Sequence, residues 1–392
     1  MDFLNFLIDS QRNIDWQQPY GPEFLYVVLS HEVCDLDSCA STLAIAYYHH
    51  RNRGPTGHIF MPVLNMLRRD YPTKSEVRFV FSKHGIEPET HLVFRDDVPE
   101  VVMLRARFIL VNHHVSPFHY NVEKVYDYRP LQLEAARLPI YCQRIMHPTV
   151  SCAALIAERY TNANLNFSGV RCPIVFEMLH SAILLQNCNF VQSEEQAQSL
   201  RDYQMLSVLE QNLDPKMEEQ RDSLYNSLVY AVFNMNHLTL PQVLRRQFKL
   251  LRATNGLRLI RVGQCCFPMA VSRFISYENA NVAIQQFANE HGCDYLLILG
   301  TSIRYGGGLG VKEMGLIPVD GLRDVETRRL FDHIIINLNA AHNPLLCMEA
   351  HRDLDFMQGA FYFLNTWKIT FYDILQLMQR ILYDWLSEDV RG

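Results

Sequence analysis

The apolar run Leu25-Tyr26-Val27-Val28-Leu29 stops at Ser30, and within the next eight residues His31, Asp35 and Asp37 follow at i, i+4 and i+6. Ser38 then opens an apolar-periodic segment from Ala40 to Tyr48. A short apolar run followed by helical periodicity predicts a buried strand, a loop and a helix, with Ser38 as the expected N-cap. A loop at the carboxyl end of a strand is where open α/β sheets bind their ligands. One His with two carboxylates suits a hard-to-borderline divalent cation such as Mn²⁺, Mg²⁺ or Co²⁺. Cys34, between them, is expected as a packed thiol rather than a ligand.

The same alternation continues along the first third of the chain. Apolar runs at Phe24–Leu29, His58–Leu64, Leu92–Phe94, Phe108–Val111 and Val122–Tyr126 predict strands, with helical periodicity in Ser38–His50 and around Thr73–Lys83. This pattern predicts a mostly parallel, doubly wound sheet with helices on both faces. From residue 149 the periodicity turns helical, in Thr149–Tyr160 and Pro173–Gln186, and Pro173 suits a first helical turn. Residues 192–222, rich in Gln, Glu, Asp and Ser, fit an exposed helical linker, or equally a surface helix within one large domain. A second, smaller α/β block follows, with strands at Gly256–Val262, Tyr295–Leu299 and Gly310–Val319, one long helix Ala270–His291 ended by Gly292, and a terminal helix Thr370–Leu386. The expected domains are 1–190, a helical linker 191–225, and 226–392, with a cleft between the two domains.

Gly306-Gly307-Gly308-Leu309-Gly310 lacks a following Lys-Ser/Thr and is flanked by strands, so it is expected as a hairpin turn and not a phosphate cradle. The net charge of −6 over 392 residues argues against a nucleic-acid-coating surface. No apolar run reaches the roughly 18 residues of a membrane span, so no membrane partner is expected. The start, Met1 to Asp9, carries acids in place of a basic leader and is expected as a short docking helix. Ten Cys without a CxxC pair suggest reduced core thiols and a cytoplasmic location.

Three further strand ends carry polar clusters: Phe94-Arg95-Asp96-Asp97, Val111-Asn112-His113-His114 and Tyr126-Asp127-Tyr128-Arg129-Pro130. In a parallel sheet these tips share one edge with His31, Asp35 and Asp37. A carboxylate bridging two cations must span about 3.5–4 Å, and Asp96 is the natural candidate. A single Asp at a strand end is usually a turn former. Four tips together carrying His31, Asp35, Asp37, Asp96, His113 and Asp127 are hard to explain as turn chemistry.

The run Ser30-His31-Glu32-Val33-Cys34-Asp35-Leu36-Asp37-Ser38 resembles the first motif of the DHH phosphoesterase superfamily, which includes manganese-dependent inorganic pyrophosphatases, RecJ-type nucleases and exopolyphosphatases. Pro62-Val63-Leu64-Asn65, Phe94-Arg95-Asp96, Asp127-Tyr128-Arg129-Pro130, Ser151-Cys152-Ala153 and Leu179-His180 resemble its Prune branch. Leu244-Arg245-Arg246 and Met357-Gln358-Gly359 are similar to a DHHA2 second domain. The resemblance implies Mn²⁺ or Mg²⁺, one or two per chain. It places one cation on His31, Asp35 and a bridging Asp96, and the other on Asp37, Asp96, His113 and an Asp of a later helix. It implies Asp37, Asp96 and His114 as catalytic residues, and His114 and Lys368 as contacts to substrate phosphate.

Four positions depart from the family pattern. Asn112 replaces the Asp of Asp-His-His, which orients a ligating His, a loss that typically costs about 10–100-fold. Gln186 stands where the helix Asp is expected, and Tyr128 replaces a His in the Asp-His-Arg-Pro run. Trp367 replaces an Arg in Thr366-Trp367-Lys368, and an indole cannot reproduce a guanidinium fork on phosphate. His31 stands where Prune relatives often carry Asn. The first cation site is thus expected intact and the second impaired. The implied function is a metal-dependent phosphohydrolase acting on short-chain polyphosphate or a cyclic nucleotide. The competing expectation is an inactive relative of the same fold that binds regulatory protein partners. A RecJ-like nuclease is disfavoured by the charge and the lack of a basic stripe with aromatics.

Overall fold

The computed structural model describes residues 2–12, 25–54, 57–132, 137–161, 171–190, 197–213, 219–254, 258–303, 309–365 and 369–389. The chain divides into two compact units, Met1–Val232 and Phe233–Gly392.

The first unit begins with α1 (Phe3–Arg12), whose Phe3, Phe6 and Leu7 are buried. The Phe3 ring meets Tyr47 edge-on at 5.2 Å. Burial of three such side chains contributes roughly 1.5–3 kcal/mol each and explains why an apolar opening segment docks as a helix. Then come β1 (Leu25–Ser30), α2 (Leu36–Arg51), β2 (Ile59–Leu64), α3 (Ser75–Lys83), α4 (Pro88–His91), β3 (Val93–Phe94), α5 (Glu100–Arg105), β4 (Arg107–Val111), β5 (Val122–Asp127) and β6 (Gln143–Met146). Helices α6 (Cys152–Thr161), α7 (Pro173–Gln186), α8 (Ala197–Asn212) and α9 (Arg221–Phe233) follow.

The strands form one six-stranded sheet in the order β3-β2-β1-β4-β5-β6, parallel throughout. This is the expected α/β architecture. Strand β6 has no apolar run and an exposed edge position, which is why its sequence does not announce it. Apolar cores lie on both faces, one built on α2, α6 and α7, the other on Val27, Met61, Phe108 and Leu110. The parallel register pairs Ser30 with Val111 and Val111 with Tyr126, so the loops after β1, β4 and β5 start side by side.

Two readings of this unit change. The N-cap of α2 is Asp35, not Ser38: the Asp35 Oδ1 accepts from the Ser38 amide at 2.8 Å and the Ser38 hydroxyl at 2.6 Å. A carboxylate at a helix N-terminus gains from the aligned amides there. The stretch that fitted an exposed linker or a surface helix contains α8, which packs on α6 and α7 with Leu206, Leu209 and Asp202 fully buried.

The second unit holds α10 (Leu240–Arg245), β7 (Phe248–Thr254), β8 (Leu259–Phe267), α11 (Val271–Ile275), α12 (Ala280–His291), β9 (Tyr295–Ile303), β10 (Leu309–Pro318), α13 (Val325–Ala340), β11 (Met348–Ala350), β12 (Ala360–Leu364) and α14 (Phe371–Asp389). Its sheet runs β11-β12-β10-β9-β8-β7, with β8 and β9 parallel and the other pairs antiparallel. The long helix expected over Ala270–His291 is two helices, broken where Asn279 takes φ 64°. Asn is one of the few side chains that enters this region at low cost. Gly292, at φ 63°, ends α12 as expected. Strands β9 and β10 are an antiparallel pair, and Gly306, Gly307 and Gly308 between them lie outside the described residues. Among the described residues no helix is long and apolar enough to cross a membrane. All ten cysteines are free thiols, and Cys34 is buried as expected.

Candidate functional site

The site is built on the tips of β1 and β4. Two tip residues, Cys34 (φ 47°) and Asn112 (φ 62°), occupy left-handed backbone. Such conformations persist only where surrounding structure enforces them, and they concentrate at functional loops.

His31 and His113 stand with ring centroids 5.8 Å apart. His113 is buried, and its Nδ1 lies 3.0 Å from the Val111 carbonyl. A carbonyl can only accept, so Nδ1 carries the hydrogen and Nε2 keeps a lone pair. Burial lowers the His113 pKa, which favours that neutral form. His31 Nδ1 accepts from the Val33 amide at 3.2 Å, a long bond.

Asp37 sits at the other end of the loop, 3% exposed. Its Oδ2 accepts from the Cys152 amide at 2.9 Å and from Asn112 Nδ2 at 3.2 Å, and its Oδ1 from the Ala153 amide at 2.7 Å. Those two amides are the first of α6. Burial and the neighbouring Asp35 charge nevertheless push the Asp37 carboxyl up to about 8, with the α6 amides and Arg129 pulling the other way. Asn112 also donates to the Ser38 hydroxyl at 2.8 Å. It therefore faces Asp37 and Ser38 and not the imidazole of His113, contrary to the orienting role implied for an Asp in its place.

His114 is buried with both ring nitrogens engaged. Gln132 N–H donates to Nε2 at 3.1 Å, so Nδ1 carries the hydrogen and donates to Asp127 Oδ2 at 2.6 Å. No nitrogen is left for substrate phosphate, and His114 instead ties the β4 tip to the β5 tip. Asp127, fully buried, also accepts from the Tyr128 amide at 2.8 Å and from Arg129 Nη1 at 3.3 Å. Arg129 donates in addition to the Asn112 carbonyl. Burial works against its charge, but Tyr128, Asp127, Asp35 and Asp37 outweigh it and raise its pKa. Burial, then the Asp37 charge, raises the pKa of Tyr128.

Other expected members lie apart. Asp96 is exposed on the turn after β3, and its Oδ1 accepts from the Arg68 amide at 2.9 Å. Strand β3 is two strands from β1, about 10 Å across the sheet. Gln186 ends α7 exposed. Thr366, Trp367 and Lys368 lie outside the described residues. Among the described residues no three His, Cys, Asp or Glu side chains stand close enough to enclose an ion. By donor type, the Nε2 of His113, the His31 ring and the Asp35 oxygen not bonded to Ser38 are the groups on these tips that a divalent cation could draw on. Asp37 is engaged by protein N–H groups, and Gln186 is neutral.

Sequence reasoning passed over Arg129, the α6 amides and Asp202 of α8. The signal for Asp202 was available: Asp202, Leu206 and Leu209 recur at i, i+4 and i+7, one helix face. Asp202 Oδ1 accepts from Ser151 N–H at 3.0 Å, Ser151 Oγ at 2.6 Å and Asn187 Nδ2 at 3.1 Å, and Oδ2 from Val150 N–H at 2.9 Å.

A parallel sheet with polar strand-tip loops around His31, Asp35 and Asp37, joined in one chain to a second mixed-sheet unit, is the architecture that the resemblance of the first motif to the DHH phosphoesterases implies. The chain is similar to curated proteins that include Prune proteins. It is 28% identical over 292 residues to exopolyphosphatase PRUNE1 of Homo sapiens, a match covering 70% of this chain and 59% of that one. It is 29% identical over 288 residues to the Bos taurus protein of the same name, with the same coverages. Protein prune homolog 2 of Mus musculus is 23% identical over 288 residues, covering 71% of this chain and 8% of that one. The chain thus spans 59% of the length of the exopolyphosphatase relatives it matches. It shares its fold with a crystal structure of a Methanococcus jannaschii protein assigned to the family II inorganic pyrophosphatases, at TM-score 0.57 and 17% identity, covering 92% of this chain and 99% of that one. No protein-family model matches the chain.

Proposed function

We propose that this chain is a metal-dependent phosphohydrolase of the Prune type, acting on the phosphoanhydride bonds of short-chain polyphosphate with one divalent cation, Mn²⁺ or Mg²⁺. The observation that supports it most is the free Nε2 of His113 beside the His31 ring at adjoining strand tips, with Asp35 four residues further along the same loop. Those three residues would hold the cation, which when bound supplies Lewis-acid polarisation of a phosphoryl oxygen. Arg129, about a third exposed, offers a guanidinium to the same charge. Asp127 and His114 hold the β4 and β5 tips in register for it. A cyclic nucleotide shares the phosphoryl chemistry and is the alternative substrate. A cytoplasmic location goes with this reading.

The purified chain with Mn²⁺ or Mg²⁺ is expected to release phosphate from tripolyphosphate. Asp35→Ala removes both a cation donor and the α2 cap, and should cut that rate by about 100-fold or more, against a cap loss of only about 1 kcal/mol in stability. Absence of phosphate release, or activity that survives Asp35→Ala, sinks the proposal.

One observation favours a second reading, an inactive relative that serves as a protein-binding regulator. The Asp37 carboxylate is satisfied by three protein N–H groups. The double variant Asn112→Asp, Gln186→Asp separates the two readings. A large gain in hydrolysis marks the natural chain as impaired, whereas robust natural turnover with no gain excludes the inactive reading.

A further inference from the structure

Asp37 is the second residue of α2, so whatever fixes its carboxylate fixes the start of α2 and the loop from His31 to Ser38. The carboxylate is fixed by the Cys152 and Ala153 amides of α6. The α6 N-terminus is held in turn from outside the sheet. Ser151 caps it, its hydroxyl accepting from the Ala154 amide at 3.2 Å while donating to Asp202 at 2.6 Å. Asp202 also takes the Val150 and Ser151 amides. Its remaining donor is Asn187, the residue after α7 and the neighbour of Gln186. Two buried carboxylates thus share one helix start: Asp202 takes the amides before it and Asp37 the first amides within it.

We infer that Asp202 is a positioning residue for the proposed phosphohydrolase site, holding the α6 N-terminus so that its first amides pin Asp37 and the His31–Ser38 loop. This inference rests on the hydrolase reading for its kinetic consequence but not for its structural one. A carboxylate is required because all four donors point at acceptors: an Asn in its place turns an N–H₂ toward N–H or O–H donors. The inference also gives α8, which the sequence presents as a polar connector, a role in the site 165 positions upstream (202 minus 37).

The test is Asp202→Asn in the full chain, with hydrogen exchange followed by mass spectrometry and tripolyphosphate kinetics in Mn²⁺. Exchange at Cys152 and Ala153 is expected to rise about tenfold, with β1 and β4 unchanged. The kcat is expected to fall about 10–100-fold, the usual range for loss of a supporting group around a metal site, with KM within about twofold. Asn187→Ala, which removes one donor and creates no repulsion, should give the same pattern at a few-fold, and it carries the test if Asp202→Asn does not fold. Unchanged exchange at both amides overturns the inference. So does a uniform rise across α6, α7 and α8 with kcat falling only in proportion to the unfolded fraction. If the natural chain releases no phosphate, the hydrolase reading fails while the exchange measurement still decides the role of Asp202.

Discussion

The two ends of the loop after β1 differ in what they leave open. At one end His113 keeps an uncommitted Nε2 beside His31, and Asp35 commits one oxygen to Ser38. At the other end the Asp37 carboxylate accepts three N–H bonds from Cys152, Ala153 and Asn112. The same stretch of sequence therefore carries an open half and a half that the protein has closed on itself. The neutral Asn112 is what allows the closure, since an Asp there would set two carboxylates against each other.

The sharpest way to break this contrast is Asn112→Asp. It replaces a donor 3.2 Å from Asp37 Oδ2 with a second buried acid. Without added metal the variant is expected to lose about 3–5 kcal/mol in chemical denaturation, the usual cost of an uncompensated buried charge, and millimolar Mn²⁺ should restore part of it. A midpoint equal to that of the natural chain would mean that Asn112 is not what closes the Asp37 end.

A smaller effect is expected through α8. Glu210 takes both oxygens to Arg221, at 2.6 and 2.5 Å, and His180 lies 2.9 Å from Oε1. Burial alone would raise its carboxyl, but the bonds from Arg221 and His180 outweigh it and hold it at about 2. A depressed folded-state pKa contributes stability above the unfolded value and loses it on acidification. The loss should run from about pH 4.5 down to about pH 2. Glu210→Gln is expected to flatten that window in urea midpoints measured against pH. Because α8 supports the Asp37 end and not the His113 end, exchange at Cys152 should rise before exchange in β4 as the pH falls. Simultaneous loss at both would erase the distinction.

The β1 tip was legible because an apolar run gave way to helical periodicity at the point where His31, Asp35 and Asp37 cluster. The parallel sheet followed from the alternation of such runs. The cap was misplaced because Asp and Ser are both good N-caps and only geometry shows that Asp35 receives the Ser38 amide. The break at Asn279 was hidden because a left-handed residue leaves the apolar spacing on either side intact. Asp202 was passed over although its spacing with Leu206 and Leu209 sets it on the apolar face of α8, because the polar residues around it mask that stripe. Asp96 was read as a bridging ligand from its strand-tip position and His114 as a phosphate contact from the resemblance, and their partners Arg68, Asp127 and Gln132 become visible only in three dimensions.

Divalent-metal stoichiometry tests the contrast most directly. The purified chain titrated with Mn²⁺, with free ion read by electron paramagnetic resonance, is expected to bind one ion, weakened by His113→Ala and untouched by Asp96→Ala. Two ions per chain, with Asp96→Ala removing one or both, would contradict it.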